Sequence, residues 1–169
     1  MIAKENVKYY APFVLFVLLL FDGQLTMWAE NLVDNVYFPS AHFLLLAYLT
    51  MIPNLSKPYV ITSSVILGLI CDSYYIGVLG IYTVALTVTV LLMYTFQNVV
   101  KTNIPTAFFG MVIFVTSYEV ISVVLQMIFR LSDVGLVTFV TRTLGPTLLF
   151  NMLIFVLFYY LMKKLFSTI

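Results

Sequence analysis

The chain has 169 residues, 63% of them hydrophobic and 9% charged, against about 45–50% and about 25% in a typical soluble domain. Its mean hydropathy is +1.09, and a soluble fold of this size still exposes about 30% of the unfolded chain's surface, so lipid must be the solvent for most of it. The net charge of +1, from eight Lys and Arg against seven Asp and Glu, lacks the basic excess of a nucleic-acid binder, and six spans of about 20 residues leave no room for a soluble catalytic head.

Six apolar stretches follow in chain order. The first covers 9–28, Tyr9 to Trp28. Lys4 and Lys8 precede it as in a signal peptide, but only Asp22-Gly23-Gln24 stands where a small-residue cleavage site would be. It is therefore expected as an uncleaved span. The second covers 36–52, with only 14 residues from Pro39 to Ile52. That is about 21 Å of helix, short of a hydrocarbon core of about 30 Å. Either it starts earlier with a kink at Pro39, or it sits against protein instead of lipid. The third, 58–75, and the fourth, 77–96, leave space only for a tight turn. The fifth covers 105–129 and the sixth 136–162, with Pro146 a second expected kink. The runs are continuously apolar, not alternating, which indicates helices and not a barrel. The expected fold is an all-α integral membrane protein, one domain over 1–169 with six transmembrane helices.

Basic residues give the orientation. Both ends and the connections after spans two and four hold Lys4, Lys8, Lys57, Lys101, Lys163 and Lys164, whereas the opposite side holds Arg130 and Arg142 beside Glu30, Asp34 and Asp133. Both termini are thus expected in the cytoplasm. Tyr9, Tyr10, Tyr59, Tyr94, Tyr159 and Tyr160 fall near the inner boundary and Trp28, Tyr37, Tyr74 and Tyr75 near the outer one, as amphipathic rings prefer.

Four ionisable groups fall inside spans: Asp22, Asp72, Glu119 and Arg142. A charge at a helix centre costs about 2.5–3.5 kcal/mol on insertion scales, so each needs a reason to be there. Glu119, Ser122 and Gln126 share one face of span five, and Ser64, Gly68 and Asp72 one face of span three, a small-residue stripe that admits close helix approach. Thr143, Thr147 and Asn151 form a further row on span six. Arg142 is expected to pair with Asp22 or Glu119. Three roles stay open for this polar cluster: interhelical glue, a small-molecule pocket, or a docking site for a partner's helix or a lipid. Asp72 has its own alternative, bonding the backbone of the turn after its helix. His42 reads as an interfacial or packed histidine, and Cys71 as a small apolar residue. A single His and a single Cys make no metal site. No nucleophile triad, HExxH, Walker A or dinucleotide loop is present, so neither catalytic residues nor a cofactor are expected.

The segment Gly68-Leu69-Ile70-Cys71-Asp72-Ser73-Tyr74-Tyr75-Ile76-Gly77-Val78-Leu79-Gly80 resembles the GL-x-x-D…LG signature of the MreD family of rod shape-determining membrane proteins. Pro39 opening a short second span, the step from Pro146 to Asn151, and the basic end at Lys163-Lys164 are similar too. Ser40 stands where the family often has an acid, and the stretch before Gly68 is poorer in glycine. The resemblance covers the whole chain. It implies a bundle like the S components of energy-coupling-factor transporters and a non-enzymatic scaffold subunit of the cell-elongation (peripheral peptidoglycan synthesis) machinery in the bacterial cell membrane. It also implies an MreC-like single-span partner and, directly or indirectly, a RodA-type glycosyltransferase and a class B penicillin-binding protein. Ser64, Gly68, Asp72, Gly77 and Gly80 are the candidate partner-binding or structural residues. The alternative is a solute-binding S-component-like subunit of a vitamin transporter, its ligand held by the polar cluster.

Overall fold

A computed structural model describes residues 4–34, 36–76, 78–100 and 103–166, the side chains of 4–8 and 75–76 excepted. Gly77 and Lys101, both singled out in the sequence, lie outside the described residues. The described elements are all helices, without a strand: α1 (Lys4–Leu32), α2 (Phe43–Met51), α3 (Lys57–Cys71), α4 (Ile81–Val100), α5 (Ile104–Ile128) and α6 (Leu136–Phe166). Four of these helices are long and apolar enough to cross a membrane: 24 residues of α1 from Tyr9 to Leu32, and all of α4, α5 and α6.

Local sequence explains the ends. Ser56 precedes α3 with Pro58 in its first turn, where a missing N–H costs nothing. Asn103 and Thr106 form a reciprocal capping box at the start of α5, again with a proline in the first turn. At the other end of α5, Arg130 takes a left-handed conformation (φ 58°). The Leu131 N–H then bonds the Gln126 carbonyl at 2.9 Å and the Arg130 N–H bonds Met127 at 3.0 Å, a Schellman closure.

The expected second span departs most from its sequence reading. It was bounded at Val36, but helix begins only at Phe43, and Pro39 lies in an extended run, so it is not a helix kink. All nine residues of α2 are buried. A helix apolar on every face belongs inside protein, and α2 packs against α1, α4, α5 and α6. Pro53 then lies in a single 3-10 turn, Ile52–Asn54, that ends the element. The last helix also departs from regularity. Its stretch Phe139–Leu144 is π-helical, directly ahead of Pro146, which has no N–H to give to the Arg142 carbonyl four residues back.

Candidate functional site

The extended run 38–42 connects the end of α1 to α2 at a level flanked by helices α1 and α6. Backbone outside a helix is tolerated at membrane depth only where protein or a wet cavity completes its hydrogen bonds. Here side chains and one freed carbonyl do so, alternately from two sides. Toward α6, the Phe38 N–H reaches the Arg142 carbonyl at 2.7 Å, the acceptor that Pro146 leaves open. The Ser40 N–H bonds Thr147 Oγ1 at 3.0 Å and the His42 N–H bonds Asn151 Oδ1 at 2.8 Å. The Asn151 amide returns a bond to the Ser40 carbonyl at 2.6 Å. Toward α1, the Ala41 N–H bonds Thr26 Oγ1 at 2.9 Å, and Asp22 accepts from Phe43 at 2.7 Å and Leu44 at 2.9 Å.

The two periods match. Two extended residues advance about 6.6 Å, and four or five helical residues advance about 6–7.5 Å. Positions 38, 40 and 42 therefore meet 142, 147 and 151, and positions 41 and 43 meet Thr26 and Asp22. Pro39, between them, brings no donor. Asp22 caps α2 from another helix, its two carboxyl oxygens accepting from the free N–H groups at the start of α2. His42, the residue that precedes α2, makes no side-chain cap of its own.

The imidazole of His42 turns elsewhere. Its Nε2 lies 2.8 Å from Glu119 Oε1 on α5, both groups buried, and its ring meets Tyr118 edge-on at 4.9 Å. These residues wall a cavity of about 340 Å³, lined also by Asp22, Glu30, Ser122 and Gln126. Among the described residues, Ser122 Oγ is buried without a hydrogen-bond partner.

The structure thus brings Asp22, Glu119, Ser122 and Gln126 to one cavity. It separates from them Asn151, which holds the extended run, and Arg142, whose side chain is exposed. The expected ion pair of Arg142 with Asp22 or Glu119 is not formed. The backbone of residues 43–44 takes Asp22, and His42 takes Glu119; Arg142 contributes its carbonyl instead of its charge. His42, Thr26, Tyr118 and Tyr82 were not read as site residues. The Asp22-to-Thr26 spacing of one helical turn is the signal that could have marked Thr26; nothing local marks His42.

The small-residue stripe on α3 is a second polar cluster. Ser64 and Asp72 are fully buried, and a Cβ on Gly68 would overlap the backbone of Thr83 on α4. The stripe is filled by α4, so a partner's helix would have to displace α4 to reach it. Asp72 Oδ2 accepts from the Gly80 N–H at 2.8 Å, the Thr83 N–H at 3.2 Å and the Thr83 hydroxyl at 2.6 Å, and Oδ1 accepts from the Tyr82 N–H at 2.7 Å. Gly80 holds φ +115°, a conformation costly for any residue with a Cβ. Asp72 and Gly80 together close the α3–α4 hairpin.

Among the described residues no three His, Cys, Asp or Glu side chains converge as a metal site. The family model for the rod shape-determining protein MreD matches residues 4–169. The chain belongs to the MreD family. Neither a curated protein nor a solved structure matches it. MreD proteins are shape-determining membrane proteins of the MreBCD machinery, and several long apolar helices in this chain fit a multi-pass member.

Proposed function

We propose that this MreD chain is a non-enzymatic scaffold of the cell-elongation machinery, holding an MreC-like single-span protein beside a RodA-type glycosyltransferase and a class B penicillin-binding protein. The family match over residues 4–169 carries this reading. The hydrogen-bond pattern supports it. Asp22, Asp72, Thr147 and Asn151 are each occupied by backbone groups of the chain itself, as suits a rigid platform more than a reaction centre. In the same reading α2 with its extended lead and α3 with the turn after it complete six crossings. Both termini then lie in the cytoplasm, on the side with more lysines.

Co-purification from cells expressing the tagged chain and an MreC-like protein tests the scaffold role. The two are expected to elute together at a fixed ratio, and separate elution at normal expression removes the proposal. Labelling of single cysteines at Asn31 and Lys101, in a chain with Cys71 replaced by serine, tests the crossings. The two sites are expected on opposite faces of the membrane. The cavity favours a small-molecule role in addition.

A further inference from the structure

The geometry points to the cavity between α1, α2, α4 and α5 as a binding site for a small organic ammonium compound, with Glu119 and Ser122 as its polar anchors. This goes beyond the scaffold role and does not depend on which protein partner the chain holds. The volume of about 340 Å³ lies within the range of about 300–1,000 Å³ typical of small-molecule pockets. Its lining also has their usual composition, an apolar wall with a few convergent polar groups.

The charge selects the ligand class. Asp22, Glu30 and Glu119 face the cavity with His42, and among the described residues neither a lysine nor an arginine lines it. The contact to His42 uses one oxygen of Glu119, whereas a carboxylate offers about four acceptor positions. Both oxygens of Asp22 are taken by backbone N–H groups, so Glu119 is the carboxyl in this wall with acceptor positions to spare, and a donor carrying positive charge suits it.

Ser122 gives the second, independent indication. It is 4% exposed, and its hydroxyl has no partner among the described residues. On the same helix the hydroxyls of Thr116 and Ser117 turn back to the carbonyls of Val112 and Ile113, each at 2.8 Å. Ser122 does not, and it lines the cavity. A buried hydroxyl left so is costly unless something in the cavity completes it. An ammonium N–H does that while also meeting Glu119. Tyr82 and Tyr118 both line the cavity, their rings stacked with centroids 6.4 Å apart and planes 9° from parallel, and aromatic walls favour cations over neutral groups. Leu19 and Leu86 line the same space and suit an apolar body on the amine.

Such a group can arrive on a soluble amine or on a phosphatidylethanolamine headgroup. The test uses the full chain in phosphatidylglycerol nanodiscs in amine-free phosphate buffer, with 2-phenylethylamine as probe and 2-phenylethanol as its neutral match. Binding is followed by saturation-transfer NMR. The amine is expected to bind at least tenfold more tightly than the alcohol, and Ser122→Leu, which fills the space, to abolish amine binding. Should Ser122→Leu fail to fold, Ser122→Ala decides, with a loss of about threefold to tenfold expected at an unchanged melting midpoint. In a second arm the nanodiscs contain phosphatidylethanolamine. Its retention by the protein in native mass spectrometry, with displacement of the probe, assigns the ammonium to the lipid; undisturbed probe binding assigns it to a soluble amine. Equal binding of alcohol and amine, absence of amine binding to the parent chain, or binding indifferent to whichever Ser122 variant folds overturns the inference.

Discussion

Two acidic residues do the same chemical task in two regions of this protein, over very different sequence distances. Asp72 accepts hydrogen bonds from residues 8 to 11 positions further on, closing a hairpin between neighbouring helices. Asp22 accepts from residues 21 and 22 positions away. It is one of a set in which Thr147 and Asn151 reach back more than 100 positions to the run 38–42. In both places an acid offsets backbone donors that no helix satisfies. The hairpin is a local device that forms from adjacent chain. The extended run exists only once α1 and α6 stand on either side of it. Its stability is therefore tied to the assembly of the whole bundle.

The comparison can be broken most severely at Asn151. Asn151→Leu leaves the Ser40 carbonyl and the His42 N–H without the partners that the fully buried Asn151 side chain provides. At about 1–3 kcal/mol for each unsatisfied group, the loss is about 2–6 kcal/mol, read as a lower melting midpoint or lost expression in detergent. Asp72→Ala removes the acceptor for three backbone N–H groups and one hydroxyl. Its hairpin lies at a helix end, where water can replace part of what is lost. A cost of about 2–4 kcal/mol is expected, smaller than at Asn151 for each bond removed. If Asp72→Ala proves the more damaging of the two, the distinction between local and long-range support fails.

Smaller effects sharpen the contrast. Gly68→Ala forces α3 away from Thr83 and is expected to cost about 1–3 kcal/mol, with the shift confined to the α3–α4 pair in cysteine cross-linking between those helices. Pro146→Ala supplies an N–H that competes with Phe38 for the Arg142 carbonyl. The expected loss is only about 0.5–1.5 kcal/mol, accompanied by faster hydrogen exchange at Phe38 and unchanged exchange in the hairpin.

The hairpin was readable before the structure because its parts are contiguous. Asp72, Gly80 and the small residues at 64 and 68 stand at spacings whose meaning is set by one helix and one turn. Four of the apolar runs, those of α1, α4, α5 and α6, were readable for a similar reason, since the length of an apolar helix and the thickness of lipid are both known. The short second run posed the right question, a start with a kink or a seat against protein, and the burial of α2 answers it toward protein. Its boundary at Val36 was misplaced because apolar residues such as Val36, Tyr37 and Phe38 carry no mark that distinguishes lipid-facing helix from turn and irregular chain.

The polar cluster shows where linear reading ended. Glu119, Ser122 and Gln126 could be placed on one face from their spacing, and they do line one cavity. Their partner could not be named. Charge alone suggested Arg142, whereas the packing supplies His42, the residue before α2, which faces α5 only because the run 38–42 turns it inward. Composition and periodicity determined that this chain is a set of apolar helices carrying a few expensive polar groups, because those properties act residue by residue and turn by turn. Which polar group meets which was decided by tertiary structure. A hydrogen bond across 109 positions depends on the relative placement of three helices, and no local pattern encodes that placement.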